Sequence, residues 1–171
     1  MQNILLIVTS FILFSFSNLN AANLKATFTD HSLWDGKKIP EEMLCSNYNF
    51  DSGSTPEITL DNLPKNTYKI ILVFSDESFK PMSDGGHGII SYKIHSGLKS
   101  VIIPSIQGET FDIPDEFTSL IPHKGVQFGR VQGAYLAPCS GGKKNTYSVI
   151  IQAVDKDNNV LDSTSLTLGK F

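Results

Sequence analysis

Three separated segments carry side chains able to recognise a small charged ligand: the carboxylate of Asp76 in Phe74-Ser75-Asp76, the imidazole of His87 in His87-Gly88-Ile89-Ile90, and the phenol of Tyr135 in Tyr135-Leu136-Ala137-Pro138-Cys139. Each stands where an apolar run meets turn residues, as binding groups at strand ends do. A protonated imidazole holds an anion by a charge-assisted hydrogen bond, and a phenol adds a donor. Backbone amides of a glycine-rich turn such as Ser140-Gly141-Gly142 supply more. This set suits phosphate or carboxylate. Asp76 would either fix the tautomer of His87 and raise its basicity, or bind the cationic part of a zwitterionic ligand. Taken singly, each has a plainer reading: Asp76 as a turn former, His87 as a cap on the Gly85-Gly86 turn, Tyr135 as a core aromatic.

Strands must bring these segments together. Leu24, Ala26 and Phe28 alternate with Lys25, Thr27 and Thr29, the period-two signature of a half-buried strand. The run Ile70-Ile71-Leu72-Val73-Phe74 predicts a central strand covered on both faces. Residues 146–154 and 160–168 form a further strand pair, joined by the turn-rich Asp155-Lys156-Asp157-Asn158-Asn159. Helical signal is thin, with one or two turns predicted at Pro114-Asp115-Glu116-Phe117-Thr118-Ser119-Leu120. The remainder of the Pro104 to Gly133 stretch reads as a long irregular loop, a composition that often marks a binding loop. The expected fold is mainly β, two packed antiparallel sheets with few short helices.

The 171 residues are enough for one domain with its own core, and a net charge of −3 with 18% charged residues excludes the basic stripe of a nucleic-acid binder. The first residues read as a leader. Ile4 to Phe16 is apolar apart from Thr9, Ser10 and Ser15, and small residues Ala21 and Ala22 follow. Residues 1–22 are therefore expected to be a signal peptide and 23–171 a periplasmic or secreted domain; an uncleaved anchor is the rival, although the run is shorter than the roughly 20 residues of a span. No Cys/His spacing suggests zinc, no cofactor motif is present, and His31, His95 and His123 read as surface residues. Lys143-Lys144 reads as a solvated turn near enough to the proposed mouth to attract anions.

In order and spacing, Asp76 in Val73-Phe74-Ser75-Asp76, His87 in His87-Gly88-Ile89-Ile90-Ser91-Tyr92-Lys93-Ile94, and Gly133-Ala134-Tyr135-Leu136-Ala137-Pro138-Cys139 resemble the three signatures of the phosphatidylethanolamine-binding protein (PEBP) family. The resemblance is closest to its bacterial YbhB/YbcL branch, the Raf kinase inhibitor-like proteins. Ile39-Pro40, Cys45, Asn49 and Gln127-Phe128-Gly129 fit the same pattern, so it spans nearly the whole of residues 24–171. It implies a PEBP-like β-sandwich, a small anion pocket formed by Asp76, His87, Tyr135 and Pro138, and a disulfide between Cys45 and Cys139 near its mouth. Residues 76–81 keep the family's first carboxylate but place Ser78 where a second is usual. Gly88 stands where the family has an aromatic, Ala137-Pro138-Cys139-Ser140-Gly141 replaces Gly-Pro-Cys-Pro-Pro, and Asn145-Thr146-Tyr147 replaces His-Arg-Tyr.

The expected function is binding, of a small anionic ligand or a phospholipid head group, with no nucleic-acid partner. The alternative is a regulator or inhibitor of a kinase or protease partner. A weak hydrolase is the third reading: Cys139, His87 and Asp76 superficially offer a nucleophile, a base and an orienting acid, but no Gly-x-Ser-x-Gly elbow or paired-carboxylate signature accompanies them.

Overall fold

A computed structural model describes residues 23–171 except positions 50 and 96, so the leader expected over residues 1–22 lies outside the described residues. Alternation of apolar and polar residues yields eight strands among them: β1 (Lys25–Phe28), β2 (Ile58–Asp61), β3 (Lys69–Asp76), β4 (Ile89–Lys93), β5 (Ser100–Ile103), β6 (Phe117–Ile121), β7 (Thr146–Val154) and β8 (Val160–Lys170). They form two antiparallel sheets, ordered β1-β2-β5 and β6-β4-β3-β7-β8. Ile58, Leu60 and Ile103 from the smaller sheet join Ile70, Leu72, Phe74, Ile90, Val149 and Ile151 from the larger one in a single core. Short 3₁₀ turns occupy Glu41–Met43, Lys80–Met82 and Lys124–Phe128. No described helix is long and apolar enough to cross a membrane.

The middle strand β3 departs from expectation in a way that matters for the site. Ile70, Leu72 and Phe74 are buried, but Lys69, Ile71 and Val73 are only half-buried, so one face and not both is covered along most of its length. Only at its end does coverage become complete, where Phe74, Ser75 and Asp76 are all buried. The chain segment after β3 folds back over that end. The Gly85 N–H donates to Ser75 Oγ at 3.0 Å, the His87 N–H to the Phe74 carbonyl at 3.0 Å, and the Phe74 N–H to the Gly88 carbonyl at 3.0 Å. Ladder pairing therefore carries His87 back beside the strand end that bears Asp76.

Gly88 makes that return possible. Its φ is +117°, and a Cβ there would lie 2.1 Å from the Ala134 carbonyl oxygen, closer than any backbone neighbour tolerates. Gly88→Ala is expected to destabilise the fold by about 1–3 kcal/mol through this overpacking. Thermal unfolding of the variant checks this, and an unchanged midpoint would mean that the 133–139 segment does not pack here as described.

β7 and β8 form the expected hairpin, with Asp155 Oδ1 accepting the N–H groups of Asp157 and Asn159 to close the turn. The helical turns expected at 114–120 are instead β6. Pro114-Asp115-Glu116 only makes a turn, in which the Phe117 N–H reaches the Pro114 carbonyl at 2.9 Å, and the aromatic and β-branched residues after it complete the open edge of β4.

Candidate functional site

Asp76 and His87 line one cavity of about 610 Å³, roofed by the aromatic rings of Tyr48, Phe79 and Phe128 and flanked by Arg130 and Lys143. Phe79 and Phe128 pack against each other at 5.4 Å between centroids, with their rings tilted by 56°. Lys143 is exposed and Arg130 partly buried. Ser140 and Gly141 of the glycine-rich turn are also in the lining.

Asp76 is 3% exposed, and its two carboxylate oxygens have separate partners. Oδ1 accepts the Ser78 N–H at 2.9 Å, and Oδ2 accepts from Asn145 Nδ2 at 2.6 Å. Both donors are neutral. No ion pair involving Asp76 occurs among the described residues, so neutral hydrogen-bond donors alone hold the group in place. Ser78, which stands where the family has a second carboxylate, also binds the start of β7: its Oγ accepts the Thr146 N–H at 3.0 Å. Sequence reading did not single out Asn145 for this work.

His87 is 4% exposed and is oriented by backbone, not by Asp76. Its Nδ1–H donates to the Leu136 carbonyl at 2.7 Å, and the Leu136 N–H donates back to the His87 carbonyl at 3.0 Å. Tyr147 meets the ring edge-on at 5.2 Å. This tautomer leaves Nε2 as the nitrogen with a free lone pair and no hydrogen-bond partner among the described residues. Burial pushes the imidazole down to about 4, against the opposing pull of the Leu136 carbonyl and the Asp76 carboxylate. The expectation of a raised basicity beside Asp76 is thus reversed. At neutral pH His87 is an uncharged acceptor.

Tyr135 does not reach the cavity. Its neighbour Leu136 lines the cavity instead. The Tyr135 ring packs on Phe74 at 4.8 Å, is 1% exposed, and its hydroxyl has no hydrogen-bond partner. Burial drives its pKa up, so it stays a neutral core phenol and cannot donate from the opposite wall. Pro138 is likewise buried outside the lining, where its carbonyl accepts the Cys45 N–H at 3.1 Å.

Cys45 and Cys139 form the disulfide that the resemblance implied, with Cα atoms 5.4 Å apart. It ties the loop bearing Tyr48 to the cavity wall, because Cys139 is part of the lining and the Tyr48 N–H donates to the Cys45 carbonyl at 2.8 Å. His31 and His95 are exposed as expected, but His123 is 3% exposed and lies beneath the Lys124–Phe128 turn. No group of side chains with metal-ligand geometry occurs among the described residues.

No family model and no curated protein matches the sequence. Among solved structures, the chain is similar to E. coli YbcL, described as a new member of the mammalian PEBP family, with a TM-score of 0.54 and 13% identity over 88% of this chain and 98% of that one.

Proposed function

The chain has the PEBP fold, and from that premise we propose that it is an exported, disulfide-bonded binding protein whose cavity takes a phosphate ligand of the phospholipid-head-group type without turning it over. The observation that carries this reading is the pairing, in one cavity, of a buried carboxylate held only by neutral donors with an imidazole nitrogen left free to accept. An uncompensated Asp76 favours a cationic group such as an ammonium. Neutral Nε2 of His87 accepts the proton of a phosphate monoanion, and Arg130 and Lys143 attract its negative charge. A zwitterion satisfies both sides at once. The disulfide supports export to an oxidising compartment, and because it consumes Cys139 it leaves no thiolate to act with His87 as a nucleophile.

Calorimetric titration at pH 6.5 with phosphoethanolamine and with inorganic phosphate tests the assignment. His87→Ala should weaken both ligands by roughly ten- to a hundredfold, the equivalent of about 1.5–3 kcal/mol for a hydrogen bond to a charged partner. Asp76→Asn should weaken phosphoethanolamine by a similar factor while leaving inorganic phosphate unchanged or tighter, since it removes a repulsive charge. Equal losses for the two ligands in Asp76→Asn, or no loss in His87→Ala, would refute the reading.

A further inference from the structure

We infer that His123 is a proton-sensitive positioning residue, whose unprotonated Nδ1 holds the Lys124–Phe128 turn, and with it Phe128 and Arg130, in the cavity wall. The inference rests on the reading of that cavity as the ligand site. Nδ1 of His123 accepts the Gly125 N–H at 3.1 Å, which places the single ring proton of the neutral form on Nε2. Gly125 is the joint of the turn. Its carbonyl accepts the N–H groups of Gly129 and, at 3.2 Å, of Arg130, while the Lys124 N–H reaches the Gly86 carbonyl at 2.8 Å, next to His87. A Cβ on Gly125 would meet Leu136 Cδ2 at 2.6 Å, His123 Nδ1 at 3.0 Å and Arg130 Cγ at 3.1 Å, so the residue is wedged between the imidazole, the cavity floor and the stem of the guanidinium. Gly125, Phe128 and Arg130 all line the cavity.

A second proton on His123 has to go to Nδ1, the atom that accepts. Donor would then face donor, and the Gly125 N–H would lose its partner. The Val131 backbone and Glu109, from the loop after β5, favour the imidazolium, and the basic side chains of Lys124 and Arg130 belong to the same turn and its end. His87 opposes it from the segment before β4 once it is itself protonated. Burial is the largest influence and holds the His123 imidazole below its usual range. The sign follows: the turn is capped at neutral and alkaline pH and is released only at a pH below the ordinary imidazole range, where the buried ring takes up its second proton. Acid therefore acts on the site in two opposed ways, favouring an anion at His87 while loosening the wall that carries Arg130.

Amide hydrogen exchange of Gly125, followed by NMR in the whole mature protein without ligand and corrected for the intrinsic pH dependence of exchange, tests this device. In wild type, protection at Gly125 should fall at least tenfold across the titration of the His123 ring, followed by its own ring shifts as pH is lowered from 7.5. His123→Asn, whose side-chain oxygen accepts the same N–H without titrating, should keep its protection throughout. His123→Ala should be unprotected at Gly125 at every pH while the amides of Ile70 and Val149 stay protected; if that variant does not fold, the contrast between wild type and His123→Asn decides alone. A flat wild-type profile, or a pH-dependent fall in His123→Asn equal to wild type, overturns the inference. Phosphoethanolamine titration separates it from the reading it rests on: His123→Ala should bind several-fold more weakly and His123→Asn like wild type at pH 7. Exchange behaviour as expected with no binding by any variant would overturn the functional reading and leave Gly125 capping intact, whereas equal binding by His123→Ala and wild type would overturn the positioning role.

Discussion

Removing the Cys45–Cys139 bridge by a double substitution to alanine is expected to cost the folded domain up to about 4–5 kcal/mol. The two cysteines are 94 residues apart, so the bridge closes most of the chain into one loop and removes a large share of the unfolded state's conformational freedom. Cys45 is also fully buried, and its truncation removes packing from the loop that carries Tyr48. An effect of this size is a large part of the whole stability of an ordinary domain. Urea unfolding of the oxidised protein, the reduced protein and the double variant measures it. A difference below about 1 kcal/mol between oxidised and reduced forms would show that the bridge does not constrain the chain as described.

Acid is expected to destabilise the domain through His87 before it affects most carboxylates. The folded imidazole is held near 4 while the unfolded one titrates near its ordinary 6.5, so the unfolded state takes up the proton first. The stabilisation is therefore fully present above pH 6.5, declines as pH falls, and is exhausted near pH 4. The shift corresponds to about 3 kcal/mol at most. Because His123 is also held low, the measured loss in wild type includes its contribution, and the variant His87→Gln isolates the part due to His87. Denaturant unfolding from pH 7.5 to 4.5 should show a shallower decline in His87→Gln. Parallel curves for the two proteins would contradict the assignment of a buried, neutral His87.

Much of the architecture was legible because it rests on local pattern. The β7–β8 hairpin follows from two alternating runs around Asp155-Lys156-Asp157-Asn158-Asn159, and β1 from alternation beginning at Leu24. β6 was not legible, since Pro114-Asp115-Glu116 resembles a helix start and the partner that makes Phe117–Ile121 a strand is the distant edge of β4. In β3, the unbroken run from Ile70 to Phe74 conceals that Ile71 and Val73 face a poorly covered side, which depends on what the rest of the chain lays over the sheet.

The site divides in the same manner. Asp76 and His87 stand at a strand end and on its return, positions that apolar runs and glycines mark in the sequence, and the cavity forms around them. Tyr135 packs on Phe74 while its neighbour Leu136 lines the cavity, and which of the two turns inward depends on how the 133–139 segment docks, not on residue type. Partners that are backbone atoms, such as the Leu136 carbonyl that fixes His87, carry no sequence signal at all. Asn145 was visible only as a departure from His in the family pattern, yet the amide supplies the donor that holds Asp76. His123 has no distinguishing neighbours in sequence, and its burial arises from the fold of the 124–130 turn above it.

Whether one cavity holds the two ends of a zwitterionic phosphate ligand is decided by a crystal structure of the mature protein with phosphoethanolamine at pH 6. The account predicts the phosphate within hydrogen-bond distance of His87 Nε2, with its outer oxygens toward Arg130 or Lys143, and the ammonium within about 3 Å of an Asp76 carboxylate oxygen. Ligand ordered elsewhere on the surface, or a fully occupied cavity with the phosphate remote from His87 and the ammonium remote from Asp76, would contradict it.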